Sequence, residues 1–204
     1  MTEPPDVVCL GILVADVIAR PVDALPRAGT LGLVEEITLH GGGCALNTAT
    51  VLARLGLRAA VVGKVGNDAF GEFVLGLLAE RGIDATGVLR DDAVPTSSTV
   101  ALVDRSGERT FLHLPGANGA LATEELDRGL IFAGRALHMA GALVMPMLDG
   151  VPAAALLAAA RERAILTSLD TVWDASGRWG TGASGAPAPR PLHREPERGA
   201  RDLR

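Results

Sequence analysis

Lysine is almost missing from this chain: Lys64 is the only one, and the arginines are scattered, with no basic run before the C-terminal segment. With a formal net charge of −5, no basic stripe is laid out for a nucleic-acid backbone or an anionic membrane surface. Cysteine is scarce as well. Cys9 lies in an apolar run and Cys44 in a glycine-rich turn; without a second pair at metal-ligand spacing they read as reduced cytosolic thiols, not as a metal site. The N-terminus, Met1-Thr2-Glu3-Pro4-Pro5-Asp6, has no basic leader segment, and the apolar run behind it is too short and too interrupted to span a bilayer. These absences leave a cytoplasmic protein whose partner is a small molecule.

What is present suffices for one core. The 204 residues are 48% hydrophobic, which fits one domain of moderate size. Val7 to Val14 is a nearly unbroken apolar run, as in a central strand covered on both faces, and Asp16 follows at its carboxyl end. From Leu25 to Leu39, β-formers mix with Pro26, Gly29, Gly32 and Glu35-Glu36, a pattern that predicts short exposed strands in an appendage. Gly41-Gly42-Gly43 then opens a helical pattern that ends at Gly56, and Arg58 to Val62 returns to strand. Asp68 is placed to cap a second helix, whose stripe is Phe70, Phe73, Val74, Leu77 and Leu78 and whose stop is Gly82.

Thr99 to Val103 and Arg109 to Leu114 flank the turn Asp104-Arg105-Ser106-Gly107-Glu108 and predict a hairpin that pairs with the earlier appendage. Thr123-Glu124-Glu125 starts a further helix, Ala136 to Val144 is a strand, Val151 to Arg163 an alanine-rich helix, and Ala164 to Leu169 another strand. Strands alternating with helices indicate an α/β fold with a parallel sheet. After Trp179, residues 180–204 are built almost wholly from Gly, Ala, Pro, Arg and Ser, a composition that cannot form a core and reads as a disordered or frameshifted tail.

One motif is long. Gly41-Gly42-Gly43-Cys44-Ala45-Leu46-Asn47-Thr48-Ala49 continues through Leu55-Gly56 to Val62-Gly63-Lys64-Val65-Gly66-Asn67-Asp68-Ala69-Phe70-Gly71. Read physically, glycines permit close backbone approach to a ligand, the following helix start offers amide donors, and Asn47 both donates and accepts, a set suited to a polyol. As a bare pattern, glycines before a helix are more often only a turn. The whole segment resembles the first signature of phosphofructokinase B-type (ribokinase-like) carbohydrate kinases. The resemblance extends over residues 7–179, with weaker matches at Pro95 to Phe111, Gly116-Ala117-Asn118 and Leu169 to Trp179.

The resemblance implies a ribokinase-like parallel sheet with flanking helices and a small β-sheet lid, built from about residues 25–40 and 96–114, that closes over substrate and often serves as a dimer contact. It implies Asp16, Gly42, Gly43 and Asn47 as substrate-binding residues for a sugar or nucleoside, and places Asp170 near the cleft. Cys44 stands where ribokinase itself has a lysine, a departure that weakens the case for ribose in particular, although other members vary there too. The family transfers a phosphoryl group from ATP, with Mg2+, to a substrate hydroxyl, using the aspartate of a Gly-Ala-Gly-Asp turn as base. No such turn occurs: Gly180-Thr181-Gly182-Ala183-Ser184-Gly185 has serine at the base position and prolines, not a helix, behind it. The expectation is therefore the substrate-binding part of a sugar kinase, with the C-terminal part of the fold and most of the ATP site lacking and no activity alone. A non-catalytic sugar-binding module is the second reading. A Rossmann-type nucleotide-binding protein is the third and weakest, because Gly41-Gly42-Gly43 is not Gly-x-Gly-x-x-Gly and no Walker motif occurs.

Overall fold

A computed structural model describes residues 3–173; the 180–204 tail, and with it the frameshift expectation, lies outside the described residues. Among the described residues nine strands form two sheets. Five parallel strands, β1 (Val7–Gly11), β4 (Ala59–Gly66), β5 (Asp84–Asp91), β8 (Ala136–Ala142) and β9 (Leu166–Thr171), run in the order β5-β4-β1-β8-β9. A second, mixed sheet holds β2 (Val14–Arg20), β3 (Glu36–Gly42), β6 (Ser98–Val103) and β7 (Arg109–Leu114) in the order β3-β2-β6-β7.

Both faces of the central strands β1 and β4 are buried, which is why they read as continuous apolar runs. On one face α1 (Cys44–Arg54) and α2 (Ala69–Glu80) pack Ala45, Leu46, Ala49, Val74 and Leu78 against Cys9 and Val61. On the other, Leu156 and Ala160 of α5 (Val151–Glu162), with Leu121 and Ile131, cover Val8, Leu10, Val62 and Met139. The helix signals are local and hold: the Asp68 carboxylate accepts from the Gly71 amide at 2.8 Å as N-cap of α2, and Gly56 and Gly82 leave α1 and α2 with φ of 86° and 65°. Thr123–Glu125 makes only a 3-10 turn, followed by the one-turn α4 (Arg128–Ile131). Among the described residues no helix is long and apolar enough to cross a membrane.

Three expectations change. The apolar run from Val7 is not one strand: it breaks at Gly11-Ile12-Leu13, where the chain leaves the parallel sheet for the second one. Asp16 therefore lies inside β2, one of the two inner strands of the lid, and not beyond a strand of the main sheet. The lid accordingly extends past the expected 25–40 and 96–114 segments; it takes in β2, while residues 21–35 form turns and irregular chain. The hairpin β6-β7 does join the appendage, through a parallel pairing of β6 with β2 and not with β3.

The crossing is pinned by a side chain from far along the sequence. Asn118, buried in the short α3 (Gly116–Gly119), accepts from the Leu13 amide through Oδ1 at 3.0 Å and donates from Nδ2 to the Leu13 carbonyl at 2.9 Å. Its own amide donates to Ser97 Oγ at 3.0 Å, just before β6, and the Ser97 hydroxyl donates to the Pro115 carbonyl. The two chain entries into the lid, before β2 and before β6, thus meet at one residue, Asn118, the first through its side-chain amide and the second through its backbone N–H.

Candidate functional site

The residues singled out by sequence converge where the lid meets the start of α1. The β2-β3 register sets Asp16 opposite His40, one rung out from the Val14-Gly42 pair. A side chain at 42 is impossible without moving the aspartate: a Cβ there would lie 1.9 Å from Asp16 Oδ2. Gly42 is thus the floor beneath the Asp16 carboxylate, which among the described residues accepts no hydrogen bond. Gly43 turns the chain into α1 with φ 88°, and its Cα is pressed so close to the β1-β2 crossing that a Cβ would lie 2.4 Å from the Ile12 carbonyl oxygen. No side chain caps α1, and Asn47 stands exposed in its first turn. Structure therefore gathers Asp16, Gly42, Gly43 and Asn47 within one turn of the α1 start, with Gly43 owing its identity to internal packing.

Cys44, the first residue of α1, is hydrogen-bonded to Asp170 near the end of β9. Burial first, then that carboxylate, push the thiol up to about 12, so it stays protonated and donates. Cys9, buried in the core, is pushed to about 12 by burial alone. Behind Cys44, His138 of β8 meets Ser168 Oγ through Nδ1 at 2.8 Å and Thr48 Oγ1 of α1 through Nε2 at 3.5 Å. Burial holds this imidazole below its usual pKa against the opposing charge of Asp170.

Over residues 4–178 the chain matches the model of the pfkB family of carbohydrate kinases. The chain belongs to this family. Among curated pfkB relatives, probable fructokinase-3 of Arabidopsis thaliana is 33% identical over 121 residues, covering 57% of this chain and 35% of that protein, and fructokinase-2 of Zea mays is 33% identical over the same length, 36% of its own. The chain thus spans about a third of the length of the curated relatives it matches. In structure, Arabidopsis ribokinase complexed with ribose and ATP superposes with a TM-score of 0.72 at 20% identity, over 83% of this chain and 54% of that one. Halothermothrix orenii fructokinase gives 0.66 at 25% identity, over 81% and 56%. The fold is ribokinase-like, with the parallel sheet, its helices and the small mixed sheet in place.

Two groups in this pfkB fold escaped the sequence reading. One is a rung across the lid: His40, Asp16, Thr99 and His113 occupy successive partner positions on β3, β2, β6 and β7, which puts their side chains on one face of the sheet. Thr99 Oγ1 meets His113 Nδ1 at 3.1 Å, and His40 Nε2 meets Thr38 Oγ1 at 2.9 Å. The only sequence signal was a histidine in each of the two outer lid strands, His40 in β3 and His113 in β7. The other is buried Lys64, whose Nζ lies 2.9 Å from Asp91 and 2.6 Å from Glu125 and donates to the Ala120 carbonyl at 3.3 Å. It ties the ends of β4 and β5 to the segment that carries Asn118. Burial pulls its pKa down, but the two carboxylates outweigh that and hold it above the usual value, while Asp91 falls to about 2 through its bond to Lys64. Among the described residues no group of three or more His, Cys, Asp or Glu side chains is arranged to hold a metal ion.

Proposed function

We propose that this chain binds the sugar substrate of an ATP-dependent pfkB kinase between the lid and the start of α1. The observation that carries this is the Asp16 carboxylate, acceptor-only when ionised, seated directly over Gly42 without a donor among the described residues. A half-buried carboxylate beside the start of α1, where no side chain caps the helix, and exposed Asn47 suits vicinal hydroxyls, which can donate to Asp16 while accepting from a neighbouring donor. Gly42 and Gly43 keep the floor bare of side chains. Cys44 in place of a cation, locked onto Asp170, favours a neutral sugar or nucleoside over an anionic one. For the whole protein the reaction proposed is phosphoryl transfer from ATP to a hydroxyl of that substrate; the described residues supply binding, and none is assigned as the base.

The test is calorimetric titration of the chain with D-fructose, D-ribose and adenosine, repeated with Asp16→Asn. Hydrogen bonds to a charged group contribute about 1.5–3 kcal/mol, so the variant is expected to bind about 10- to 100-fold more weakly. If none of the three binds, or Asp16→Asn binds as tightly as wild type, the reading is wrong.

The opposite face of the lid supports a second-copy contact. Leu39, Val17, Val100 and Leu112 form one apolar row across all four strands, and Ile37 and Leu112 are more than 60% exposed. A dimer through this face predicts a two-chain sedimentation mass that Leu112→Glu reduces to one.

A further inference from the structure

A cavity of about 820 Å³ lies at the opposite end of the parallel sheet from Gly42 and Asp16. It opens where Val7, Ala136 and Leu166, register partners on β1, β8 and β9, begin their strands. The length of β1, about 13 Å, separates it from the β1-β2 crossing, so it is a different place from the proposed sugar site. Ligands of open α/β sheets bind at the carboxyl ends of the strands; this cavity is at the amino ends.

Two arginines line it with hydrogen-bond donors to offer. Arg163, the residue after α5, is held in place twice: its Nη1 donates to the Ala159 carbonyl at 2.8 Å, and its guanidinium lies 4.7 Å from the Phe132 ring centre. Among the described residues it forms no ion pair. Ala164 then bends the chain at φ 56°, so that Ile165 enters the core while Arg163 stays exposed. Arg135, its side chain 87% exposed, has one ion pair among the described residues, with Asp6 at 4.0 Å. Asp6 already accepts three N–H groups of Arg58 at 3.0 to 3.2 Å, so its charge is matched from outside the cavity. The lining also carries Val7, Phe132 and Ile165, side chains continuous with the core.

Guanidinium donors fit the planar oxygens of a carboxylate or the face of a phosphate, and the apolar lining fits carbon. The volume falls in the range of about 300–1,000 Å³ usual for small-molecule pockets. A neutral sugar would leave both arginines unanswered, and a bare phosphate would leave the apolar lining wet. We propose that this cavity is a second binding site, for an organic anion whose phosphate or carboxylate head is held by Arg135 and Arg163 and whose apolar body lies against Phe132, Val7 and Ile165.

The test titrates the full chain by calorimetry with phenyl phosphate, phenylacetate and inorganic phosphate, and repeats the titrations with Arg163→Gln, Arg135→Gln and Asp16→Asn. Both arginines are exposed, so neither change should move the urea midpoint. The preferred organic anion is expected to bind about tenfold more tightly than inorganic phosphate. Each arginine variant should lose about tenfold of that affinity, while Asp16→Asn binds as wild type does. Preference for phenyl phosphate or for phenylacetate supports the proposal and names the head group. Binding of neither, equal binding of inorganic phosphate, affinity unchanged in both arginine variants, or affinity changed by Asp16→Asn overturns it.

Discussion

Asn118→Ala is the perturbation that tests most directly how the lid is held. Leu13 is fully buried, and the Asn118 amide satisfies both its N–H and its C=O. Truncation leaves these two backbone groups in the interior without their partner. A buried polar group left unpaired costs about 1–3 kcal/mol, so the pair amounts to about 2–6 kcal/mol, set against a total of about 5–15 kcal/mol for a typical domain. With a urea m-value of about 2 kcal/mol/M, the unfolding midpoint should fall by about 1–3 M, read by far-ultraviolet circular dichroism. Asn118→Asp is a sharper version: it keeps an acceptor for the Leu13 amide but sets a carboxylate against the Leu13 carbonyl, so it should be no more stable than Asn118→Ala. Asn67→Ala is the control, because Asn67 is exposed and bonds Asp92 at the surface; its effect should stay within about 0.5 kcal/mol. A loss below about 1 kcal/mol for Asn118→Ala, at unchanged m, would refute the assignment of Asn118 as the pin of the crossing.

Two further outcomes follow from the geometry. Gly42→Ala places a methyl group where Asp16 Oδ2 now lies, 1.9 Å from it, so the carboxylate must swing away; sugar affinity in calorimetry should drop to the level of Asp16→Asn while circular dichroism stays unchanged, and wild-type affinity would contradict the placement of Asp16. The Lys64 cluster predicts an acid-labile step. Asp91 is lowered from 3.8 to about 2 by its bond to Lys64, and Glu125 is lowered by the same residue; folded-state values below the unfolded ones stabilise the fold above about pH 4, and that stability is lost as pH falls toward 2. The urea midpoint of wild type should decline through this window, and Lys64→Met should be less stable at pH 7 with a shallower decline below pH 4. An unchanged acid slope in Lys64→Met would show that the cluster contributes nothing.

Much of this protein is written locally. The Gly41 to Gly71 motif, the Asp68 cap, the Gly56 and Gly82 stops and the alternation of strand and helix depend on residues within a turn or two of one another, so the sequence alone determined the family and the α/β class and pointed to the segment where the proposed sugar site lies. Tertiary structure decided what depends on register and distant pairing. The break at Gly11-Ile12-Leu13 is invisible in an apolar run because both sides of it are buried, and only Asn118, 105 positions away, marks it. Strand β5 was not anticipated: as an edge strand with Asp84, Thr86 and Arg90 exposed, it shows no unbroken apolar run. His113 meets Asp16's rung, and Lys64 meets Asp91 and Glu125, only because parallel and antiparallel pairings bring separate segments into phase. No local spacing encodes such a phase; it is set when the sheets close.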